Sequence, residues 1–426
     1  TQQVMAPIGS VLRLRKERVD KTVFKFSDLQ PITIHFDGSV DKRIVGKNRE
    51  YSMDLWFARP GDIVVAKIDL KNGAVGIVPP DWKNVVVTGH FAVYEADRTR
   101  LVPEYLQLII QAGFFKAHLW RNKVGAEGRK EVKLDFFEEE HIPIPSLVEQ
   151  KAIVARWRKA QDEIVATHER VKKRKAAVDV RFFADLGLRS PAQGSMPKTF
   201  AVLWQDFLRW GVGFNYLYQS GADLTRGKYP VVELDSLLEL VQYGTSEKAN
   251  TSNDGVAVIR MNNILDGELD LGNLKHLRLS KIEESKLLLK DGDILFNRTN
   301  SKELVGKCAV FHAQGEYVFA SYLIRIRADS KANPDFLAYV INSPIGRQQI
   351  NALSRQIIGQ ANINSVELRG LQIPLPPLIV QKQIMDRVAA GRAEIARERE
   401  AADRLACHIN AEIEALILGV KKVKTP

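Results

Sequence analysis

Two long stretches of the chain place mostly apolar residues at alternating spacings of four and three. The first stretch runs from Ile153 to Val178, and the second runs from Ile384 to Leu416. This spacing is typical of a helix that presents one seam to a partner helix, so it predicts two helices that pair as a coiled coil. The residues predicted to form the pairing seam are Ile153, Trp157, Ile164, Val171, Val178, Ile384, Val388, Ile395, Leu405, Ile409 and Leu416.

The two helices begin with the same motif. Residues 142–156 have the sequence IPIPSLVEQKAIVAR and residues 373–387 have IPLPPLIVQKQIMDR, an offset of 231 residues. The same offset aligns Gly61-Asp62-Ile63 with Gly292-Asp293-Ile294. A repeat of this length indicates a globular domain followed by a long helix, present twice. Pairing of the two copies about a local two-fold axis predicts antiparallel helices with the domains at opposite ends.

The first globular region, residues 1–145, mixes strand and helix patterns. Val19–Phe26, Pro31–Phe36 and Asp62–Ile68 are rich in β-branched and aromatic residues, which favours strands. Pro103 stands where a helix would begin, ahead of apolar residues at helical spacing. The pattern predicts an α+β domain.

The second globular region, residues 231–376, has the same character. Its apolar segments Val256–Ile259 and Ile294–Phe296 predict strands, and polar, amide-rich segments stand beside them. The aromatic segment Thr199–Tyr229 has no counterpart in the first copy. We expect this segment to pack on the helices or on a partner, with base stacking as the alternative.

Arg, Lys, Asn, Gln, Ser and Thr side chains cluster in the segments between strands of both regions. Such side chains can bind phosphates and the edges of bases when a rigid sheet holds their loops. The alternative for each of them is an ordinary solvated turn. The candidate DNA-binding residues are Arg43, Lys47, Arg49, Lys67, Lys71, Asn72, Lys123, Arg129, Lys130, Thr245, Ser246, Lys248, Arg260, Asn262, Asn263, Asn297, Arg298, Asn300, Lys302, Gln360 and Asn362.

The composition of the chain indicates a polyanionic partner. The 426 residues carry a formal net charge of +11, and the sequence pI is about 9.4. No stretch approaches the roughly 20 apolar residues of a membrane span, and the first ten residues lack signal-peptide features. These observations predict a cytoplasmic protein that does not enter a membrane. Cys308 and Cys407 stand far apart without ligand spacing, so both are expected to be buried thiols.

Catalytic motifs are missing where a nucleic-acid enzyme would need them. Pro80-Asp81 with Glu131-Val132-Lys133 is too widely spaced for a nuclease motif and is not repeated. Residues 221–228 miss the spacing of a phosphate-binding loop, and no methyl-donor fingerprint is present. The histidines, including His90, His141 and His168, do not cluster with carboxylates at ligand spacing. The chain is therefore predicted to be non-catalytic and to hold no metal.

The repeated Ile-Pro-x-Pro-x-Leu-x-x-Gln motif, together with the Gly-Asp-Ile segments and the Val-Gly turns at Val75-Gly76 and Val305-Gly306, resembles one family. The chain is similar to the specificity subunits of type I restriction-modification systems over its whole length. The first copy has Pro145-Ser146 where the second has Pro376-Pro377, and the second copy has Val380 where the first has Glu149.

The resemblance implies an architecture and a set of partners. It implies an α+β fold with two target recognition domains in tandem repeat, joined by two long antiparallel helices. Each domain would bind one half of a bipartite site in double-stranded DNA, and the helices would set the gap and dock two methyltransferase subunits. Restriction subunits would complete the complex. The chain itself would need no cofactor, since S-adenosylmethionine, ATP and Mg would bind to the partner subunits.

The predicted boundaries follow from the repeat. They are recognition domain 1 at 1–145, helix 1 at 146–187, an aromatic linker at 188–230, recognition domain 2 at 231–376, helix 2 at 377–419 and a basic tail at 420–426. Two other functions remain open. A coiled-coil adaptor would show no salt-dependent affinity for DNA, and a stand-alone nuclease or methyltransferase would show metal-dependent or methyl-donor-dependent turnover.

Overall fold

The described residues divide into two units, and each unit contains both helices and strands. The computed structural model describes residues 4–44, 53–124, 131–189, 199, 201–202, 224–251, 254–301, 304–357 and 360–423. Unit 1 comprises the described residues up to Glu169 together with those from Glu398 onward, and unit 2 comprises Arg170–Arg397. The α+β class predicted from the sequence is confirmed in this mixture of helices and strands.

Both units contain short strands and short helices. The strands of unit 1 are Met5–Pro7, Leu12–Arg15, Gln30–Ile34, Val40–Lys42, Leu55–Ala58, Ile63–Ala66, Val75–Ile77, Val85–Thr88, Phe91–Ala96 and His141–Pro143. The strands of unit 2 are Val231–Glu233, Leu238–Tyr243, Val256–Ile259, Ile264–Leu265, Glu268–Leu269, Lys275–Leu277, Ile294–Asn297, Thr299–Asn300, Cys308–Val310, Tyr317–Phe319, Leu323–Ala328, Arg355–Ile357, Gln360–Asn362 and Gln372–Pro374.

The α-helices of unit 1 include Pro103–Gln111, Gly113–Arg121 and Leu134–Glu139, and those of unit 2 include Lys281–Leu287, Pro334–Asn342, Pro344–Leu353 and Ser365–Arg369. The first long helix is Leu147–Asp185 and the second long helix is Leu378–Ile417. The 3-10 helices are Ile8–Ser10, Phe26–Asp28, Leu70–Asn72, Leu224–Arg226, Leu234–Leu237 and Met261–Asn263. No described helix combines the length and the apolar character that crossing a membrane requires.

Each unit has a four-stranded antiparallel sheet, called here its main sheet. In unit 1 the strand order is Leu12–Arg15, Phe91–Ala96, Ile63–Ala66 and Val75–Ile77. In unit 2 the order is Leu238–Tyr243, Leu323–Ala328, Ile294–Asn297 and Cys308–Val310. The Gly-Asp-Ile motif begins the third strand of both orders, so the repeated residues occupy equivalent positions in the two sheets.

A second sheet in each unit contains a parallel pair of strands. Gln30–Ile34 pairs in parallel with Val85–Thr88 in unit 1, and Val256–Ile259 pairs in parallel with Tyr317–Phe319 in unit 2. The valines of these strands are buried in apolar clusters beside the main sheets. Burial of apolar side chains from both sheets is what holds the layers of each unit together.

The strand predicted at Val19–Phe26 is absent from the structure, and that prediction is wrong. The Asp20 carboxylate accepts hydrogen bonds from the backbone N–H and the hydroxyl of Thr22, at 2.8 and 2.6 Å, which bends the chain into a turn. Phe24 then packs against Phe57 in a small apolar cluster that also contains Val19.

A buried glutamine ties each long helix to its own domain. The Gln150 amide oxygen accepts from the Val102 N–H at 2.8 Å, and its nitrogen donates to the Arg100 and Pro145 carbonyls, each at 2.8 Å. Gln150 is completely buried, so these three bonds satisfy groups that water does not reach. The domain helix that begins at Pro103 and the first long helix are therefore fixed at one point.

The second copy repeats this arrangement bond for bond. The Gln381 amide oxygen accepts from the Asn333 N–H at 2.8 Å, and its nitrogen donates to Pro376 at 2.8 Å and to Lys331 at 3.2 Å. Gln381 is also completely buried. Each partner lies 231 residues after the corresponding partner of Gln150. The repeated glutamine of the motif thus has one structural role in both units.

The replacements of Ser146 by Pro377 and of Glu149 by Val380 belong together in the structure. Ser146 and Glu149 make a reciprocal cap on the first long helix, with the Ser146 hydroxyl donating to the Glu149 carboxylate at 2.7 Å and the Ser146 N–H donating to it at 3.0 Å. Pro377 has no N–H that needs such a partner, and Val380 replaces the glutamate that would supply it. A glutamate at position 380 would therefore find no N–H at position 377 to cap.

Segments of the two long helices pack on each other within each unit. In unit 1, Arg156 donates to the Glu412 carboxylate at 2.7 Å. In unit 2, Arg174 pairs with Glu394 at 2.6 Å and Arg387 pairs with Asp185 at 2.8 Å, so residue numbers fall along one helix as they rise along the other. The helical segments in unit 2 are therefore antiparallel.

We expect Gln150→Ala and Gln381→Ala each to lower the free energy of unfolding by roughly 3 kcal/mol. Each substitution leaves one N–H and two carbonyls without a partner, and a buried unsatisfied group costs about 1–3 kcal/mol. Urea unfolding measures the loss, and hydrogen exchange of the backbone around Val102 or Asn333 localises it. The neighbouring exposed lysines supply controls, because Lys151→Ala and Lys382→Ala should change stability by less than about 0.5 kcal/mol. Equal stability of the glutamine and lysine variants would contradict this role.

Candidate nucleic-acid interface

Three connections of unit 2 meet at one end of its main sheet. Gly244–Ser246 follow the strand that ends at Tyr243, and Arg298 follows the strand that ends at Asn297. Ser321 and Tyr322 precede the strand that begins at Leu323. Tyr243 pairs with Ile324, and Asn297 pairs with Leu323, so the antiparallel register brings these connections to the same end. We call this the loop end of the sheet.

Backbone hydrogen bonds fix the connections to one another. The Arg298 N–H donates to the Tyr322 carbonyl at 3.0 Å, and its carbonyl accepts from the Ile363 N–H at 2.9 Å. The Ser321 N–H donates to the Thr245 carbonyl at 2.7 Å. These bonds hold the polar side chains of the loop end on a rigid frame.

Arg298 occupies the centre of the loop end of unit 2. Its guanidinium carbon lies 5.1 Å from the centre of the Tyr243 ring, a cation–π distance. Its Nη1 donates to the Ser321 carbonyl at 3.5 Å. The Tyr243 hydroxyl in turn accepts from the Ser365 N–H at 3.0 Å. The cation is held in place by a ring and a main-chain carbonyl.

A small three-stranded sheet borders the loop end. It consists of Thr299–Asn300, Gln360–Asn362 and Arg355–Ile357. The Thr299 hydroxyl donates to the Asn362 amide oxygen at 2.8 Å, and the Asn300 amide nitrogen lies 3.4 Å from the Met261 sulfur. Asn362 is exposed, whereas Asn300 is half-buried. The sheet brings Asn300 and Asn362 together, although 62 residues separate them in the chain.

Asn263 and Asn297 have structural roles, and we withdraw them from the candidate DNA contacts. Asn263 is 3% exposed; its amide oxygen accepts from the Arg260 N–H, and its nitrogen donates to the Asp270 carbonyl at 2.9 Å. Asn297 is 2% exposed, and its amide nitrogen donates to the Leu304 carbonyl at 3.3 Å. A side chain buried in this way has no edge to offer a base.

The remaining candidates of unit 2 differ in exposure. Ser246, Lys248 and Asn262 are exposed, while Thr245 and Arg260 are half-buried. The Thr245 hydroxyl accepts from the Glu247 N–H at 3.1 Å, and one Arg260 nitrogen donates to the Asn273 carbonyl at 3.4 Å. The backbone of Gln360 lies in the small sheet, and Lys302 lies outside the described residues.

The main sheet of unit 1 has a loop end of the same construction. Lys67 follows the strand Ile63–Ala66, and its N–H donates to the His90 carbonyl at 3.1 Å. The Lys67 Nζ donates to the Gly89 carbonyl at 2.8 Å. Lys16 follows the strand that ends at Arg15, so it lies at the same end of the sheet as Lys67. Cationic side chains thus gather at this end too.

Other candidates of unit 1 lie nearby or elsewhere. Lys71 and Asn72 belong to the connection after Lys67, where Lys71 donates to the Ile68 carbonyl and the Asn72 amide donates to Asp69 at 3.1 Å. Arg43 is exposed at the end of a strand of the second sheet. Lys123 places its Nζ 3.5 Å from the centre of the Trp120 ring. Lys47, Arg49, Arg129 and Lys130 lie outside the described residues.

A family model matches part of the chain. Residues 227–401 match the family model described as "Type I restriction modification DNA specificity domain". After this match we call residues 227–401 the specificity domain. The matched range contains the loop end of unit 2 and the motif at residues 373–387, so the family resemblance predicted from the sequence is confirmed.

Curated relatives extend the similarity beyond this specificity domain. The chain is 26% identical over 286 residues to the EcoKI specificity subunit of Escherichia coli K12, covering 65% of this chain and 57% of the relative. It is 32% identical over 159 residues to the putative MjaX specificity subunit of Methanocaldococcus jannaschii, covering 37% of each chain. The aligned part thus spans less than two thirds of the length of these relatives.

A solved structure resembles the fold outside the specificity domain as well. A chain from a study of complex assembly and conformational transition of the type I R-M system has a TM-score of 0.63 to this chain. The superposition covers 98% of both chains at 16% sequence identity. At this identity the likeness describes the fold of the chain.

The loop end of the specificity domain includes residues that sequence reasoning missed. Tyr322 is 52% exposed beside Arg298, and Tyr243 supplies the ring beneath the guanidinium. Lys16 and His90 are exposed at the corresponding end in unit 1. Residue type alone did not mark the tyrosines and the histidine as DNA contacts, because tyrosine and histidine also occur in protein cores. The signal that could have found His90 and Tyr322 is their position, since each directly precedes a central strand of its main sheet.

The predicted seam residues face apolar clusters or are partly covered. Ile153, Ile409 and Leu416 are buried in the core of unit 1, and Ile384 and Val388 are buried in the core of the specificity domain. Ile164, Val171 and Ile395 are also buried, whereas Trp157, Val178 and Leu405 are half-buried.

The two cysteines differ from each other. Cys308 is buried in the core of the specificity domain, and its desolvation raises the pKa of the thiol to about 12. Cys407 is exposed on the second long helix, so the expectation that it is buried is wrong. Its position outside the helix seam explains the exposure. Within the described residues, no three His, Cys, Asp or Glu side chains cluster in a way that could hold a metal ion.

Proposed function

We propose that this chain is the DNA specificity subunit of a type I restriction-modification complex. The observation that carries the proposal is the loop end of the main sheet, which presents cations in both units and also amides and exposed tyrosine rings in unit 2. The specificity domain at residues 227–401 includes one of these ends. Each end would bind one half of a bipartite, gapped site in double-stranded DNA.

The chemistry of the loop ends suits DNA. Arg and Lys bind phosphates and guanine, and Asn binds adenine through two hydrogen bonds in the major groove. The formal net charge of +11 would attract the DNA over a longer range. Arg298, Asn300 and Asn362 supply the suitable types in unit 2, while Lys16, Lys67 and His90 supply them in unit 1. The two ends differ in side chains, as two different half-sites require.

The chemical steps would belong to partner subunits. The curated relatives are specificity subunits of restriction enzymes, and we propose by analogy that two methyltransferase subunits and the restriction subunits join this chain. S-adenosylmethionine, ATP and Mg would bind to those partners, and the chain would hold no cofactor of its own. We place the complex in the cytoplasm, where its DNA substrate is found.

The long helices would set the gap between the half-sites as an antiparallel coiled coil. Support comes from the ion pairs between the helical segments inside each unit, Arg156 with Glu412 and Arg174 with Glu394. Buried apolar seam residues accompany both pairs. Their faces would also dock the methyltransferase subunits.

A map of methylated adenines tests the proposed function directly. DNA from cells that express this chain with its cognate methyltransferase is compared with DNA from cells that lack only this chain. We expect methylation at a motif of two different short blocks around a fixed gap, present only with the chain. An unchanged map from an assembled complex would instead favour an adaptor that does not bind DNA.

Substitutions at the loop end of unit 2 should alter one block of the methylated motif. Asn362→Ala removes an exposed amide that can form two hydrogen bonds with adenine, and such a pair contributes about 1–3 kcal/mol of discrimination. Tyr322→Ala removes an exposed ring and hydroxyl at the same loop end. We expect relaxed or lost methylation at one block and an unchanged second block.

Lys331→Ala is the matched control. Lys331 lies beyond Ala328, past the opposite end of the strand that begins at Leu323, and pairs with Asp329 at 2.9 Å. It should leave the motif unchanged. A change in both blocks with Tyr322→Ala, or equal effects of the variant and the control, would contradict the placement.

Insertion of seven residues into both long helices should lengthen the gap. A heptad keeps the seam in phase and adds about 10 Å of helix, which is near three base pairs at roughly 3.4 Å each. The same insertion in one helix alone should prevent pairing and abolish methylation. A functional double insertion with an unchanged gap would contradict the role of the helices.

A further inference from the structure

One position carries a cation in both loop ends. Lys67 and Arg298 are 231 residues apart, and each is the first residue after the strand that begins with the Gly-Asp-Ile motif. Lys67 follows Ile63–Ala66, and Arg298 follows Ile294–Asn297. The repeat therefore preserves positive charge at this point of the fold.

The two cations are also held in the same way. The N–H of Lys67 donates to the His90 carbonyl at 3.1 Å, and the N–H of Arg298 donates to the Tyr322 carbonyl at 3.0 Å. Their side chains donate to the carbonyl one residue earlier, Lys67 to Gly89 at 2.8 Å and Arg298 to Ser321 at 3.5 Å. Both charged groups thus lie against the turn that precedes the central strand.

Three arginines of the main sheets pair with the buried aspartates Asp62 and Asp293. Asp62 accepts from Arg15 at 2.7 Å, and Asp293 accepts from Arg327 at 2.7 Å and pairs with Arg325 at 3.4 Å. Within the described parts of the chain, Lys67 and Arg298 are held by main-chain carbonyls and by a ring, and neither forms an ion pair with a carboxylate. A carbonyl orients a cation but leaves its net charge in place.

The surroundings of the two cations differ between the units. Ile68 follows Lys67, whereas Thr299 follows Arg298, and the residue that accepts the backbone bond is His90 in one unit and Tyr322 in the other. A ring lies beneath Arg298 at the loop end of unit 2. The positive charge is therefore the same in the two units, while the residues around it differ.

The constant part of two different half-sites is the phosphate backbone. Base edges change with sequence, while a phosphate is present at every step and carries no sequence information. Lys offers a flexible point charge and Arg a planar fork, yet both bind phosphate. We infer that Lys67 and Arg298 are equivalent phosphate-contacting residues, which hold each half-site against its loop end without selecting its sequence. This inference rests on the proposed function.

The test measures DNA affinity against salt concentration for the complex assembled with its methyltransferase. The variants are Lys67→Gln and Arg298→Gln, which remove the charge but keep a long polar side chain, and Arg298→Lys, which keeps the charge. One duplex contains the mapped motif, and a second duplex has both blocks scrambled. Lys331→Ala is the control for loss of a cation elsewhere in unit 2.

We expect each Gln variant to weaken binding to both duplexes by the same factor. The slope of log affinity against log salt should become shallower by about one unit, because one phosphate contact is lost. Arg298→Lys and Lys331→Ala should keep the slope of the unaltered complex, and the methylated motif should stay the same in every variant. Because the two units are tested separately, a folding defect in one variant leaves the other informative.

Two results would overturn the inference. A Gln variant that loses affinity only for the cognate duplex, or that changes one block of the motif, would make the residue a base contact. An unchanged affinity and slope in a folded complex would remove it from the DNA altogether. Failure of the proposed function looks different, since the unaltered complex would then show no salt-dependent preference for the mapped duplex.

Discussion

The completely buried amides of Gln150 and Gln381 are the constraint on which the rest of each unit depends. Each amide satisfies one N–H at the start of a domain helix and two carbonyls, one of them at the start of a long helix. An alanine could not make these bonds, and a charged side chain would be costly to bury there. The amide therefore couples a globular domain to its long helix through buried backbone N–H and carbonyl groups that water does not reach.

This coupling gives each main sheet two chemically different ends. Gln381 binds the Lys331 carbonyl, which lies just beyond Ala328, whereas Arg298 and Tyr322 lie beyond the other end of the same strand. Gln150 likewise binds the Arg100 carbonyl, beyond Ala96, on the side opposite His90. One end is fixed to the long helix, and the other end is left to carry exposed loops. Polar side chains can change at the loop end without disturbing the buried bonds at the helix end.

The sequence located the scaffold more reliably than the site because scaffold signals are periodic and repeated. Helix starts at Pro103 and Leu147 follow from proline positions and apolar spacing, and the structure has both. The strand at Val19–Phe26 could not be excluded from composition, because the turn at Asp20 depends on a side-chain bond to Thr22. Asn263 and Asn297 match the type of a DNA contact but are buried, and burial is a property of the folded sheet. Tyr322 and His90 became candidates only when the sheet register placed them at the loop end.

The buried aspartates of the Gly-Asp-Ile motif extend the same logic to charge. Asp62 and Asp293 each accept from the N–H three residues earlier, at 2.8 Å, and from an arginine of the same main sheet. Gly61 and Gly292 have φ of +81° and +84°, which a glycine adopts without strain, and this turn brings the aspartate to its partners. Because each carboxylate is committed to scaffold arginines, it does not cancel the charge of Lys67 or Arg298 at the end of the same strand. The aspartate of the motif thus pairs with arginines of the main sheet and leaves the charge of the terminal cation in place.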